Sequence, residues 1–257
     1  MLAASIQVLC AINAFADPNA FPRAWYEPPR TASEVGLETF QQSPFLDGRD
    51  LPPVHERLPD DPVVVTPLDG IGRYGGTARI TRDEWLTFPN VENPFAISAD
   101  MRTFLPNLAE SWDVSADGRV ITLKLRAGIR WSDGMPLTSD DFLFLLNDLW
   151  LNKEFAPVTD RNVAGGHGEK VDDLTFRYVF EYPNPLFVNL LAQYGNFMVV
   201  PKHYYKNFHP AYVDPDVLQE KIKSMGFISW MAFIAACRRG LIEQSVDAPT
   251  LDAHRIV

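Results

Sequence analysis

The feature that most constrains the fold is residues 105–146, where two Asp-Gly pairs separate short alternating runs. Residues 119–126 alternate with period two, which is typical of a strand with one buried face. One face carries Ile121, Leu123 and Leu125, and the opposite face carries Thr122, Lys124 and Arg126. Asp117-Gly118 precedes this run and tolerates the positive φ angles that hairpin connections need. The stretch therefore predicts an antiparallel hairpin.

A helix is predicted after the second pair, Asp133-Gly134. Thr138 suits its N-cap, and Asp141 three residues later completes a capping box. Asp140 and Asp141 also place negative charge at the positive end of the helix dipole. Apolar residues follow at helical spacing, namely Phe142, Leu145, Leu146 and Leu149. Trp131, just before the turn, is expected to be buried beside this helix.

Further elements are predicted on both sides of this unit. Strands are expected at residues 75–80, 175–180 and 255–257, helices at 185–193, 214–225 and 228–239, and a flexible glycine-rich loop at 165–168. The helix at 185–193 is expected to bury Leu186, Leu190 and Leu191. This mixture of strands and helices predicts a mixed α/β (α+β) fold class.

The N-terminal region divides into two segments. Residues 1–16 are apolar and end in Ala14-Phe15-Ala16, the small-x-small pattern of a signal-peptidase site, so a signal peptide is predicted. The run lacks a basic start, and a buried or mis-started N-terminus is the alternative. Residues 17–75 are rich in proline and charge, which favours an extended leader. The folded domain is expected to occupy residues 76–257.

Charge and cysteine usage exclude several classes of protein. The formal net charge is −10, which argues against nucleic acid or an anionic membrane as a partner. The cysteines are Cys10 and Cys237, too few for a disulfide-stapled scaffold. After residue 16, no apolar run reaches the ~18–20 residues that a membrane span needs.

The candidate chemistry is sparse. The five histidines lack the close spacing of a zinc motif, so no metal or cofactor is expected. His203 and His209 are expected in surface or packing roles. Asp133, Asp140 and Asp141 form a glycosidase-like carboxylate set, but a turn and a helix start already account for their positions. No nucleophile motif is present, so the chain is predicted not to be an enzyme.

The order of these motifs resembles the family 5 bacterial extracellular solute-binding proteins. The resemblance is carried by residues 105–112 (Leu-Pro-Asn-Leu-Ala-Glu-Ser-Trp), by Asp117-Gly118 and by residues 129–142, with weaker similarity at 74–77, 171–176, 183–187, 200–204, 208–210 and 226–230. It covers about residues 72–257. Members of the family are the ligand-capturing subunits of peptide-type ABC importers.

The resemblance implies the N-terminal lobe of a type II (cluster C) periplasmic-binding-protein-like fold. Because family members are much longer and close two lobes over the ligand, this chain is expected to be an incomplete fold: a truncated product, fragment or split protein. It is then expected to bind peptides weakly or not at all, and to self-associate through exposed apolar surface. The expected ligand-facing residues are Trp85, Asn90 and Asn93, in the loop after the first strand.

The implied function is capture of peptides or other small solutes in the periplasm or outside the cell. The implied protein partners are the permease subunits of an ABC importer, and no cofactor is involved. Two alternatives stay open at this point: a secreted hydrolase, and a remnant with a scaffolding role outside transport. The ligand itself is not fixed by such a scaffold.

Overall fold

The computed structural model describes residues 29–65, 92–98, 101–238 and 255–256. The strands are β1 (Arg30–Thr31), β2 (Val63–Val64), β3 (Phe95–Ile97), β4 (Phe104–Pro106), β5 (Ala109–Val114), β6 (Val120–Leu125), β7 (Gly166–Lys170), β8 (Thr175–Phe180) and β9 (Arg255–Ile256). The α-helices are α1 (Ala32–Val35), α2 (Val54–Arg57), α3 (Ser139–Leu143), α4 (Phe187–Tyr194), α5 (Lys202–Tyr205), α6 (Pro215–Ser224) and α7 (Trp230–Arg238). A π-helix spans Phe144–Trp150, and 3-10 turns occupy Pro44–Leu46, Gly195–Met198 and Lys206–Phe208. The predicted signal peptide and the predicted strand at 75–80 lie outside these residues.

The main sheet has four antiparallel strands in the order β5-β6-β8-β7. The predicted hairpin is confirmed, because β5 pairs with β6 in a register that sets Trp112 opposite Leu123. Asp117 closes the turn by accepting from the Ser115 hydroxyl at 2.6 Å and the Arg119 N–H at 3.2 Å. Gly118 follows at a φ of 69°, the left-handed conformation that the sequence predicts there.

The core lies between this sheet and the helix that begins at α3. The predicted inner face of β6 is fully buried at Ile121, Leu123 and Leu125. The cross-strand partner of Leu123 is Phe176 of β8, which stacks on Phe142 of α3 with ring centroids 4.9 Å apart. The period-two pattern therefore correctly identified the sheet face that packs on the helix.

The predicted helix start is confirmed. Thr138 and Asp141 form a capping box around the first turn of α3. The helix then continues through the π-helix Phe144–Trp150, which the sequence does not predict. The apolar residues at helical spacing are nevertheless buried as expected, namely Phe142, Leu145, Leu146 and Leu149.

The prediction of a flexible glycine-rich loop at 165–168 is wrong. The chain forms strand β7 from Gly166 onwards, and this strand pairs with β8. A Cβ atom at Gly168 would lie 2.3 Å from Leu143 Cδ2, and one at Gly166 would lie 2.8 Å from the Phe180 ring. The missing side chains thus allow a strand to approach the helix and its neighbour closely. Glycine serves packing here.

The helix predicted at 185–193 is present as α4, but its expected apolar face is partly wrong. Leu186 precedes the helix and is 70% exposed, whereas Phe187, Val188 and Leu191 are buried. Leu186 is the N-cap residue, so it lies before the first turn of the helix and does not belong to the buried face that begins at Phe187.

The last helices match their sequence signals. Asp214 caps α6 by accepting from the N–H groups of Asp216 at 3.0 Å and Val217 at 3.3 Å. Gly226 ends the segment at a φ of 82°. Helix α7 buries Phe233 and Ile234 completely. Among the described helices, none combines the length and the apolar character needed to cross a membrane.

Residues 29–65 of the predicted leader dock on the rest of the chain. Strand β2 pairs antiparallel with β1 and parallel with β9, so the strand predicted at 255–257 is found at Arg255–Ile256. Between β1 and β2 the chain forms only short helical segments and irregular structure.

Candidate functional site

The predicted ligand-facing residues lie mostly outside the described part of the chain. Trp85 and Asn90 are not among the described residues, and Asn93 is half-buried. The Asn93 side-chain amide donates to the Ala192 carbonyl at 3.0 Å, which ties its segment to α4. This contact is structural, and the role of Asn93 in ligand binding stays a prediction.

Asn107 connects that segment to the main sheet. It lies between β4 and β5 and is 6% exposed. Its amide donates to Glu92 Oε2 at 2.6 Å and to the Asn93 carbonyl at 2.7 Å. Its own carbonyl accepts from Arg126 Nε at 3.2 Å. A continuous chain of hydrogen bonds therefore runs from Asn93 to the end of β6.

Arg126 is the functional candidate that the sequence pattern misplaces. The alternation puts it on the polar face of β6, yet it is 6% exposed because leader residues cover it. Its Nη1 donates to the Asp61 carbonyl at 3.1 Å, so both of its hydrogen bonds go to main-chain oxygens. Burial lowers the pKa of Arg126, and the more distant charges of Glu110, Asp61 and Glu34 oppose this shift.

Beside Arg126 lies an open groove, here called the leader groove, between the leader and the main sheet. Its volume is about 710 Å³, within the ~300–1,000 Å³ typical of small-molecule sites. Its charged lining residues are Arg30, Glu34, Asp60, Asp61, Glu110 and Arg126. Aromatic side chains are absent from the described lining, which combines charged side chains with apolar surface from residues such as Pro29 and Pro106.

The leader wall of the groove is held by short polar contacts. The Asp61 carboxylate accepts from the Ser33 N–H at 2.9 Å and the Ser33 hydroxyl at 2.6 Å. Burial alone would raise the pKa of Asp61, but these hydrogen bonds outweigh it and the pKa is lowered. The Asp60 N–H donates to the Ala127 carbonyl at 3.1 Å. Gly128 permits this approach, since a Cβ there would lie 2.2 Å from Asp60 Oδ1.

The glycosidase-like carboxylates are each committed to a structural contact. Buried Asp141 accepts from the Thr138 N–H at 2.9 Å, the Lys202 N–H at 2.8 Å and Trp131 Nε1 at 3.2 Å. Burial raises the pKa of Asp141, and these hydrogen bonds act against the rise.

The other two carboxylates of the set are engaged with basic side chains. Asp140 pairs with Lys170 at 2.6 Å and with Lys202 at 2.9 Å, and Asp133 contacts His203 Nε2 at 2.7 Å. Because the three groups serve three different contacts, the arrangement favours a structural role over hydrolysis.

His209 takes the packing role that the sequence predicts. It is 3% exposed, and its ring lies 4.7 Å from the Trp230 ring. The Ala211 N–H donates to its Nδ1 at 3.1 Å, so Nε2 carries the proton and donates to the Asp148 carbonyl at 3.1 Å. Both nitrogens are thus used by the main chain. The described residues contain no group of three His, Cys, Asp or Glu side chains able to hold a metal ion.

Comparison with known proteins finds similarity to bacterial solute-binding proteins. Residues 103–219 match the family model of bacterial extracellular solute-binding proteins, family 5 Middle. The periplasmic alpha-galactoside-binding protein of Rhizobium meliloti (strain 1021) is 32% identical over 197 residues, which cover 65% of this chain and 28% of that protein. The periplasmic oligopeptide-binding protein OppA of Escherichia coli (strain K12) is 28% identical over 134 residues, 43% of this chain and 23% of that protein.

Solved structures agree with these relatives. An oligopeptide-binding protein OppA superposes with a TM-score of 0.74 at 31% identity, covering 86% of this chain and 36% of that one. The periplasmic binding protein MelB from Agrobacterium fabrum C58, in complex with stachyose, gives a TM-score of 0.56 at 24% identity over 71% of this chain and 33% of that one, a likeness of fold alone. The mixed α/β periplasmic-binding-protein fold is therefore confirmed. The chain spans about a third or less of the length of these proteins.

Proposed function

We propose that this chain, which carries a segment of a family 5 bacterial extracellular solute-binding protein, captures peptides for import by an ABC transporter. The observation that carries the proposal is the superposition on an oligopeptide-binding protein over 86% of this chain, with a TM-score of 0.74. The capture step is binding without covalent chemistry. Its protein partners are the permease subunits, and its place is the periplasm or the outer face of the cell.

The side-chain chemistry supports a binder rather than a hydrolase. Asp133, Asp140 and Asp141 stabilise a turn and a helix start, and their partners are lysine, histidine and main-chain groups. The leader groove, in contrast, is open and lined by charged groups. The volume of this groove lies within the range typical of small-molecule binding sites.

Self-association belongs to the same proposal. Several apolar side chains of the described residues are strongly exposed, namely Val158 (86%), Leu186 (70%) and Ile228 (88%). Exposed apolar surface favours contacts with other proteins or with further copies of the chain. These positions support the proposal that the isolated chain associates with itself.

A second candidate is capture of an α-galactoside. The relative that aligns over 65% of this chain is a periplasmic alpha-galactoside-binding protein, whereas the OppA alignment spans 43%. A neutral oligosaccharide requires hydroxyl-directed donors and acceptors, while a peptide also offers charged ends. The charged side chains that line the leader groove favour the peptide.

Uptake by the bacterium that encodes the chain tests the two candidates. Radiolabelled tripeptide and raffinose are supplied to the parent strain, to a strain lacking the gene, and to that strain carrying either the gene or its Trp131→Ala form. The proposal expects tripeptide uptake to fall without the gene and to return only with the unaltered copy. Loss of raffinose uptake alone would establish the second candidate. Unchanged uptake of both solutes would overturn the proposal.

A further inference from the structure

Strand β5 forms one edge of the main sheet, and its outward main-chain groups are open. The Ser115 N–H donates to the Val120 carbonyl at 2.9 Å. Because alternate residues of an antiparallel strand face opposite sides, Asp113 also bonds toward β6, whereas Trp112 and Val114 point their N–H and C=O groups away from the sheet. Within the described ranges, no group accepts a hydrogen bond from the N–H of Trp112 or Val114. The edge therefore offers a short row of donors and acceptors to another strand.

The opposite edge of the sheet is covered at its centre. On β7, the Asn147 side chain bonds both the N–H and the carbonyl of Gly168, each at 2.9 Å. A molecule with one open edge can add one further strand there, and pairing between two such edges uses up both. A second copy of the chain is thus an occupant that closes the assembly as a dimer instead of extending it into a fibre.

The side chains of β5 select a register for two antiparallel copies. Setting Trp112 opposite Trp112 of the other copy brings two indole rings together beside Phe95, whose ring centroid lies 4.5 Å from that of Trp112. The same register sets Ser111 of one copy opposite Asp113 of the other, so a hydroxyl can donate to a carboxylate. A register centred on Asp113 would set two carboxylates face to face, and like charges in that position repel.

We propose that two copies of the chain pair through β5 in the register centred on Trp112, joining their sheets into one continuous sheet. Ser111, Asp113 and Val114 are exposed, so a second strand can approach without displacing packed side chains. The inference rests on the proposed self-association, and it assigns that association to a main-chain edge instead of exposed apolar positions such as Ile228.

Sedimentation velocity of the full chain over a series of concentrations tests the edge with two variants at one position. Val114→Pro removes an outward N–H and places a ring carbon where the second strand would lie, yet it leaves the hydrogen bonds between β5 and β6 in place. It is expected to weaken dimerisation by about tenfold or more, because each copy loses a hydrogen bond. Val114→Thr keeps the N–H and the branched side chain, so it should dimerise as the parent does. Circular dichroism shows whether both variants fold.

Cross-linking tests the register even if Val114→Pro fails to fold. In the double variant Ser111→Cys, Asp113→Cys, the two new sulfur atoms face each other across the copies. They occupy a non-hydrogen-bonded pair with Cα atoms ~4.5 Å apart, within the ~4.4–6.8 Å that disulfides span. Mild oxidation is expected to give a covalent dimer on a non-reducing gel. Each single variant should stay monomeric, and the single variants also report any cross-linking by the native cysteines, Cys10 and Cys237.

The outcomes separate this interface from the other proposals. Equal dimerisation of Val114→Pro and Val114→Thr would overturn it, as would a double variant that does not cross-link. Cross-linking of Asp113→Cys alone would establish the rejected register. A dimer lost in Ile228→Ser but kept in Val114→Pro would place self-association on the apolar surface instead. A parent chain that is monomeric at every concentration would overturn both the interface and the proposed self-association, while the proposed capture of peptides would stand on the uptake result.

Discussion

The side-chain amide of Asn147 pairs with the main chain of Gly168 as a neighbouring strand would. It accepts from the Gly168 N–H at 2.9 Å and donates to the Gly168 carbonyl at 2.9 Å. Gly168 lies on β7, the edge strand of the main sheet. Unpaired groups on an edge strand recruit other chains, so Asn147 covers a position at which a second strand would otherwise pair.

Asn147→Ala is therefore expected to do two things. It should lower the free energy of unfolding by about 1–2 kcal/mol, because two exposed hydrogen bonds are lost. It should also increase self-association through β7, seen as a larger sedimenting species. Asn184→Ala is the control, since its amide makes one loop contact, to the Asn162 carbonyl at 3.0 Å. An Asn147→Ala chain with the parent's stability and sedimentation would refute the edge-covering role.

Trp131→Ala is expected to destabilise the fold strongly. Trp131 is 5% exposed, and its indole N–H donates to Asp141 at 3.2 Å. Loss of a buried tryptophan typically costs about 3–5 kcal/mol in unfolding free energy. Trp131→Phe should lose less, because it keeps a ring and gives up the hydrogen bond. Thermal unfolding monitored by circular dichroism measures both. An unchanged melting temperature for Trp131→Ala would contradict the assignment.

Asp140 should make stability depend on pH in the acid range. Burial alone would raise the pKa of Asp140, but its hydrogen bonds to Lys170 and Lys202 outweigh burial and lower the pKa below 3.8. A carboxyl with a lowered folded-state pKa stabilises the protein above the unfolded value, and this contribution is lost as pH falls through the folded value. Asp140→Asn should therefore destabilise the chain at pH ~7 and cost less at pH ~3.

Urea unfolding at the two pH values checks this difference. Asp140 is partly exposed, so loss of its ion pairs at neutral pH should lower the free energy of unfolding by about 1 kcal/mol. Asp113→Asn changes the surface charge equally, and no ion pair of Asp113 occurs in the described part of the chain. A penalty for Asp140→Asn that is equal at both pH values would rule out the ion pairs as its cause.

Tyr178→Phe is expected to be neutral or stabilising. The Tyr178 hydroxyl is buried and has no hydrogen-bond partner among the described residues, and burial raises its pKa. Removing an unsatisfied buried hydroxyl should gain about 1 kcal/mol in unfolding free energy. Tyr212→Phe is the matched comparison. The Tyr212 hydroxyl donates to Asp148 at 3.2 Å, so its removal should lower the free energy of unfolding. Equal losses in the two variants would show that Tyr178 has a partner.

Local signals account for the elements that the sequence predicts well. The turn at Asp117-Gly118, the capping box of Thr138 and Asp141, and the cap at Asp214 all depend on residues within a few positions of one another. Strand β7 escapes prediction because glycine gives no alternation, and its place depends on Leu143, distant in sequence. Short-range patterns cannot report such a contact.

The candidate site was harder to predict than the fold for the same reason. Arg126 and Asp61 are 65 positions apart, and the leader that buries Arg126 has no periodic pattern of its own. Alternation along β6 therefore assigned Arg126 to the polar face without indicating that another segment covers it. A charged residue at the end of a strongly alternating strand was the only available signal.

Equilibrium dialysis of the purified 257-residue chain against labelled tripeptide and raffinose tests the proposed capture of peptides most directly. Both solutes are dialysed against the same preparation, with the destabilised Trp131→Ala chain as the control. We expect weak, saturable retention of the tripeptide by the folded chain and free passage of raffinose. Retention of raffinose without the tripeptide, or retention of neither, would contradict it.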